Sequence, residues 1–244
     1  NSYALTRVNS MNGIIQPQGW MRQMEASMTG YTLVVGTRNW SSWSLRPFVA
    51  LWATGAPFET VVIGLRQDEA TRRAIAKHSP TGKVPVLKIP GADGTAIVWD
   101  SLAICETLAE RHPEAALWPQ DWKARARARA LSAEMHSGYP DLRDQLPMDF
   151  VRRLPLPQLR EATVQQIGRV MDAWQEALAE WGGPFLFGRF CIADAMFAPV
   201  VSRFVTYGVE VAPPLRAYMD RVMALDAMQD WAKGAREEAD AGIV

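Results

Sequence analysis

At 244 residues, 48% hydrophobic and 21% charged, the chain is long enough to bury one large core or two modest ones. Its 26 basic side chains balance 26 acidic ones, which excludes a general nucleic-acid binder with its basic excess. Two cysteines far apart, Cys105 and Cys191, exclude a disulfide framework and a cysteine zinc site, and His78, His112 and His136 lack metal-ligand spacing, so no metal is expected.

Residues 1–28 are polar, rich in Asn, Gln, Ser and Met, and without a sustained period. They are expected to be a disordered N-terminal extension, with Met28 as the native start. Tyr31 to Gly36 is a short β-branched run ended by glycine and predicts a buried strand. After a polar loop, Leu45, Val49, Trp52 and Ala53 recur at helical spacing, and Gly55 stops the helix. Phe58 to Leu65 predicts a second strand and Asp68 to His78 a charged helix. Val84 to Ile89 predicts a third strand interrupted by Pro85. A turn at Gly91 to Gly94 leads to a fourth strand, Ala96 to Trp99, and Asp100-Ser101 opens a helix. Beyond His112 the strand signals stop. Helices are predicted over Asp121 to Gly138, Glu161 to Trp181, Ile192 to Tyr207, Pro214 to Leu225 and Asp226 to Ala239. The fold class is therefore α/β followed by all-α. Its βαβ-ββα domain spans residues 29–112, a linker 113–120, and a helical domain 121–244.

Three short segments of the first domain can carry chemistry. Asn39 to Arg46 joins the first strand to the first helix, where ligands of open α/β sheets usually bind. Its serines, Ser41, Ser42 and Ser44, lie near a helix N-terminus that favours an anion such as a thiolate, although Ser is also an ordinary N-cap. In Gly82 to Leu87, a proline inside an apolar strand fits a cis Val84–Pro85 bond, which turns the Val84 backbone outward to pair with a peptide ligand. At Asp100-Ser101, a hydroxyl and helix-terminal N–H groups suit a carboxylate while the Asp suits an ammonium; together they fit an α-amino acid head group.

Taken in this order, the segments resemble the cytosolic glutathione transferase superfamily over essentially the whole chain after Met28. The resemblance implies a thioredoxin-like N-terminal domain, a helical C-terminal domain forming the electrophile site, and a homodimer. It also implies glutathione as co-substrate, with Val84 before Pro85 pairing with the cysteinyl backbone. Asp100 and Ser101 would hold the γ-glutamyl group, and Lys83 or Arg66 would meet the glycine carboxylate. The loop is most similar to the serine and cysteine classes (zeta, tau and omega), which place the catalytic residue five before an arginine. Counting back from Arg46 gives Ser41, with Ser42 and Ser44 as fallbacks. The zeta signature Ser-Ser-Cys-Ser is matched by Ser41-Ser42-Trp43-Ser44; Trp43 in place of cysteine points away from maleylacetoacetate isomerisation. Phe187 to Asp194 resembles the family's buried capping box, with Cys191 where Ser or Thr is usual.

Trp43, His136 and Tyr139 fall in the expected wall of the electrophile site, with His136 a candidate general base. The expected activity is conjugation of glutathione thiolate, stabilised by Ser41, to a small hydrophobic electrophile. Glutathione-dependent isomerisation or ether cleavage is the enzymatic alternative, and a non-catalytic binding module the other. No membrane span or signal-peptide pattern is visible, so a cytoplasmic location is expected.

Overall fold

Strand propensity and strand period agree at the first element. The computed structural model describes residues 30–65 and 68–243, so the expectations for residues 1–28 and for Arg66 lie outside the described residues. In β1 (Tyr31–Gly36), Leu33 and Val35 point to one side of the sheet and Val34 to the other, and all three are fully buried. β1 pairs in parallel with β2 (Phe58–Ile63) and antiparallel with β3 (Val86–Gly91), which pairs antiparallel with β4 (Gly94–Trp99). The order is β2-β1-β3-β4. α1 (Ser42–Ala53) crosses from β1 to β2 and packs with α3 (Ser101–Arg111) on the Leu33 side. On the Val34 side, α2 (Glu69–Ala76) contributes Ile75.

Two strands depart from their apolar runs, β2 by ending early and β3 by starting late. β2 ends at Ile63 instead of Leu65 because Thr37 takes over: its N–H donates to the Ile63 carbonyl at 3.0 Å, and its hydroxyl accepts the Leu65 N–H at 2.8 Å. β3 begins at Val86, after the cis Val84–Pro85 peptide, because proline has no N–H for the ladder.

The remainder is helical: α4 (Trp122–Ser137), α5 (Pro140–Gln145), α6 (Glu161–Trp181), α7 (Ile192–Tyr207), α8 (Pro213–Met223) and α9 (Asp226–Asp240). α5 was not expected: it is too short for a period and starts after Tyr139 in a left-handed conformation, φ 63°. α7 is apolar on nearly every side and runs through the centre of the helices. Trp174 of α6 meets Phe197, Phe204 and Tyr218 there at ring separations of 5.2–5.7 Å. At the start of α7, Asp194 is fully buried and accepts the N–H groups of Leu186 (3.1 Å) and Cys191 (2.9 Å), the structural role expected of it. One apolar core continues from β1, α1 and α3 into α4, α6 and α7, so the sheet and the helices share an interior.

Candidate active site

The strand register brings the three chemical segments to one end of the sheet. Val34 of β1 lies opposite Val86 of β3, and Val86 lies opposite Trp99 of β4. The loop leaving β1, the cis turn entering β3 and the start of α3 after β4 therefore meet at a common edge.

In the loop, the Trp40 and Ser41 N–H groups both donate to the Thr37 carbonyl, at 3.1 and 2.8 Å, making a tight turn before α1. Ser41 occupies the N-cap position, yet its side chain makes no capping bond. Its hydroxyl donates to Ser44 Oγ at 2.7 Å, and Ser44 Oγ also accepts the Gly36 N–H at 3.1 Å. Ser44 is thus tied to the end of β1 and is fully buried, while Ser41 and Ser42 lie just beneath the surface. Simple capping does not account for Ser41.

At the second segment, Pro85 is buried and Lys83 exposed, and the Val84 N–H and C=O form no hydrogen bond among the described residues. At the third, Asp100 adopts φ 73°, a conformation rare outside glycine, and its Oδ1 accepts the Leu102 and Ala103 N–H groups at 2.9 and 3.2 Å. Ser101 beside it is 1% exposed, and its hydroxyl has no partner among the described residues. A buried hydroxyl without a partner costs about 1–3 kcal/mol, so the position favours a ligand that supplies one.

Around Trp43, between Ser42 and Ser44 in the chain, stands a wall of cations and aromatic rings. The half-exposed Trp43 ring lies 4.4 Å from the Arg46 guanidinium and 4.8 Å from that of Arg143, with the His136 ring edge-on at 5.2 Å. Arg46 is fully buried, and none of its three guanidinium nitrogens has a partner among the described residues. Burial, reinforced by Arg143 and Arg203, holds its pKa well below the usual arginine value. Arg143 reaches the Met135, His136 and Gly138 carbonyls but leaves Nη1 without a partner among the described residues. Arg203 is occupied by the Leu146 and Pro199 carbonyls, and burial brings its pKa down to about 9.

His136 joins this wall to the α3 start, since its Nε2 lies 2.8 Å from Asp100 Oδ2. Burial lowers its pKa against the opposing pull of Asp100, leaving a neutral imidazole whose Nε2–H faces the carboxylate at pH 7. Tyr139 stands apart: its hydroxyl donates to Glu134 Oε1 at 2.7 Å, and Glu134 is held in turn by Arg169 at 2.8 Å. The phenol thereby joins a strut between α4 and α6. Cys105 and Cys191 are buried, and burial pushes the Cys105 thiol up to about 12.

The arginines of the wall were not foreseen as site residues. An arginine within the apolar stretch Leu45–Ala53 was the available signal for Arg46; Arg143 lies on the unforeseen α5. Among the described residues no cluster of histidine, cysteine or acidic side chains is able to hold a metal ion, and no helix is long and apolar enough to cross a membrane.

Comparison with known proteins agrees with this architecture. The glutathione S-transferase N-terminal domain matches residues 40–111, and the glutathione S-transferase C-terminal domain matches residues 157–221. The chain belongs to the cytosolic glutathione transferase superfamily, with its thioredoxin-like fold followed by helices. It is 29% identical over 198 residues to a maleylacetoacetate isomerase of Rattus norvegicus, covering 79% of this chain and 87% of that protein. A glutathione transferase homologue from Burkholderia, solved with bound glutathione, is 28% identical with a TM-score of 0.65, covering 86% of this chain and all of the other. A maleylacetoacetate isomerase from Anaeromyxobacter dehalogenans, also solved with glutathione in its active site, is 28% identical with a TM-score of 0.63, covering 83% and 95%.

Proposed function

We propose that this chain is a glutathione-dependent enzyme in which Ser41 stabilises the thiolate. The observation that carries the reading is the convergence, at one end of the sheet, of a serine hydroxyl with unbonded polar groups on two other segments. Val84 offers a free N–H and C=O to pair with an extended peptide, and Ser101 offers a buried hydroxyl to its γ-glutamyl carboxylate. Lys83, exposed beside Val84, serves the glycine carboxylate.

Rotation about the Ser41 side chain redirects its proton from Ser44 Oγ to the glutathione sulfur. Free thiols ionise near pH ~8.5, so a hydrogen bond to the charged form raises the fraction of thiolate at neutral pH. In conjugation the thiolate forms a C–S bond at an electrophilic carbon, and the leaving group departs with its bonding electron pair. Trp43 and His136 form the wall against which the electrophile sits. Glutathione and a small electrophile are the partners of this reading. A homodimer belongs to it too, since Ile97 and Trp99 on the edge strand are 44% and 45% exposed and await cover.

A second reading is glutathione-dependent isomerisation, favoured by the unpartnered guanidinium of Arg46 and the unpartnered Nη1 of Arg143 beside Trp43 and by the names of the relatives. There the thiolate adds to a double bond, the single bond so formed rotates, and elimination restores the thiolate. Titration of bound glutathione by thiolate ultraviolet absorbance, with turnover assays on neutral and carboxylate-bearing electrophiles, tests both readings. Ser41→Ala is expected to return the bound thiol towards pKa ~8.5 and to reduce turnover by ~100-fold or more. An unchanged thiol pKa and unchanged turnover in Ser41→Ala refute the assigned role. Preference for the neutral electrophile refutes the isomerase reading.

A further inference from the structure

The serine loop is held by residues distant in sequence. From the Arg38 N–H to the Asn39 carbonyl, every backbone polar group bonds to the helical half of the chain. Glu238 Oε2 accepts the Arg38 N–H at 2.7 Å and the Asn39 N–H at 3.3 Å. The Trp231 indole donates to the Arg38 carbonyl at 2.8 Å, and the Phe150 N–H donates to the Asn39 carbonyl at 3.2 Å. The Asn39 side chain accepts the Val151 N–H at 2.9 Å and donates to Asp149 Oδ1 at 3.3 Å. The Arg38 guanidinium lies over the Phe48 and Trp231 rings, 5.7 Å from each, in space left by Gly234, where a β-carbon would collide with it.

This network sits immediately upstream of the turn that presents Ser41. Because the Trp40 and Ser41 N–H groups both close on Thr37, a displacement of Arg38 and Asn39 passes directly to the serine. Glu238 is 8% exposed, and burial raises its pKa, so the position opposes a carboxylate on solvation grounds. An apolar side chain would fill the same volume without that cost. What a carboxylate adds is an acceptor for two converging N–H groups, a charge-assisted pair stronger than neutral hydrogen bonds.

We propose that Glu238 is a positioning residue for the catalytic serine: by accepting the Arg38 and Asn39 N–H groups it fixes the loop that aims Ser41 Oγ at the glutathione sulfur. The inference rests on the reading of Ser41 given above. The hydroxyl-to-sulfur hydrogen bond is short-ranged, and misplacement by ~1 Å is enough to cost on the order of 100-fold in rate.

The test uses the full chain, glutathione, and S-methylglutathione as a ligand without an ionisable thiol. Glu238→Ala is expected to raise the bound thiol's pKa towards ~8.5 and to lower turnover about tenfold or more. Affinity for S-methylglutathione, carried by Val84 and Ser101, should stay within about threefold of wild type, a change of under 1 kcal/mol. Amide hydrogen exchange at Arg38 and Asn39 should accelerate. Glu238→Gln keeps one oxygen acceptor and is expected to recover most of the thiol pKa, turnover and amide protection. Glu238→Asp retains the charge but withdraws the acceptor by a methylene, and is expected to behave like Glu238→Ala; it serves as the readout should the alanine variant fail to fold. A bound thiol that titrates as in wild type while the loop amides exchange faster overturns the proposal, and so do unchanged loop amides. A wild-type protein that shows no bound thiolate overturns the Ser41 reading itself, a result distinct from a wild-type thiolate that the Glu238 variants leave intact.

Discussion

The two flanks of Ser41 are built in opposite ways. Upstream, the Arg38–Asn39 backbone has every N–H and C=O bonded to side chains or backbone of the helical half. Downstream, Arg46 and Arg143 are drawn into the interior around Trp43 with guanidinium nitrogens that meet no acceptor among the described residues. A backbone whose every polar group is bonded resists displacement because any movement breaks several bonds together. A buried cation without a partner destabilises the empty protein and strengthens binding of whatever anion completes it. The contrast assigns positioning to one flank and ligand binding to the other.

The largest effect belongs to Asp194, a fully buried carboxyl that accepts two backbone N–H groups. Asp194→Ala leaves two buried N–H groups without acceptors, at about 1–3 kcal/mol each, and is expected to lower stability by ~3 kcal/mol or more in urea unfolding. Burial raises the Asp194 pKa to about 6, above its unfolded value of ~3.9. A carboxyl whose folded pKa is raised gives its full contribution below the unfolded value and loses it as pH rises through the folded one. The stability gap between wild type and Asp194→Ala should therefore narrow from pH ~4 to pH ~6, by on the order of 2 kcal/mol. A gap that stays constant across that range contradicts the assignment.

A paired substitution at the two flanks sharpens the comparison directly. Asn39→Ala breaks bonds to Val151 and Asp149 and should cost about 1–3 kcal/mol. Arg46→Met replaces a desolvated, unpartnered cation by an apolar side chain of similar length, and should be neutral or stabilising by ~1 kcal/mol or more in ligand-free protein. Comparable losses in both variants, measured by thermal and urea unfolding, erase the distinction. The smallest effect is at Tyr139→Phe, which removes one hydroxyl from the Glu134–Arg169 pair. It should cost about 1 kcal/mol of stability and leave turnover unchanged; a selective fall in turnover would place Tyr139 in the electrophile wall.

The fold was legible where local pattern and final environment agree. The β-branched run at Tyr31–Gly36 is a buried strand, and Ile167, Met171, Trp174, Leu178 and Trp181 mark α6 by their spacing. Val84-Pro85 and Asp100-Ser101 were readable because each is a contiguous dipeptide with a characteristic backbone. The cation wall was not, since it needs Arg46, Arg143 and His136 to converge from three helices, one of them six residues long. Glu238 was no more legible: nothing near it in sequence marks a carboxylate whose partners lie about two hundred residues earlier. At Tyr139 the position near the site was legible, but the bond of its hydroxyl to Glu134 was not.

Gly234 gives the molecule a constraint on exchange of parts. A glycine inside α9 weakens that helix by about 0.5–1 kcal/mol relative to alanine, yet alanine there would strike the Arg38 side chain. A side chain at 234 therefore has room only where the Arg38 guanidinium swings aside, off the Phe48 and Trp231 rings. A chimaera that takes its sheet from one relative and its final helix from another, with a larger residue at this position, would keep the backbone bonds to Glu238 and Trp231 but displace the arginine from the two rings.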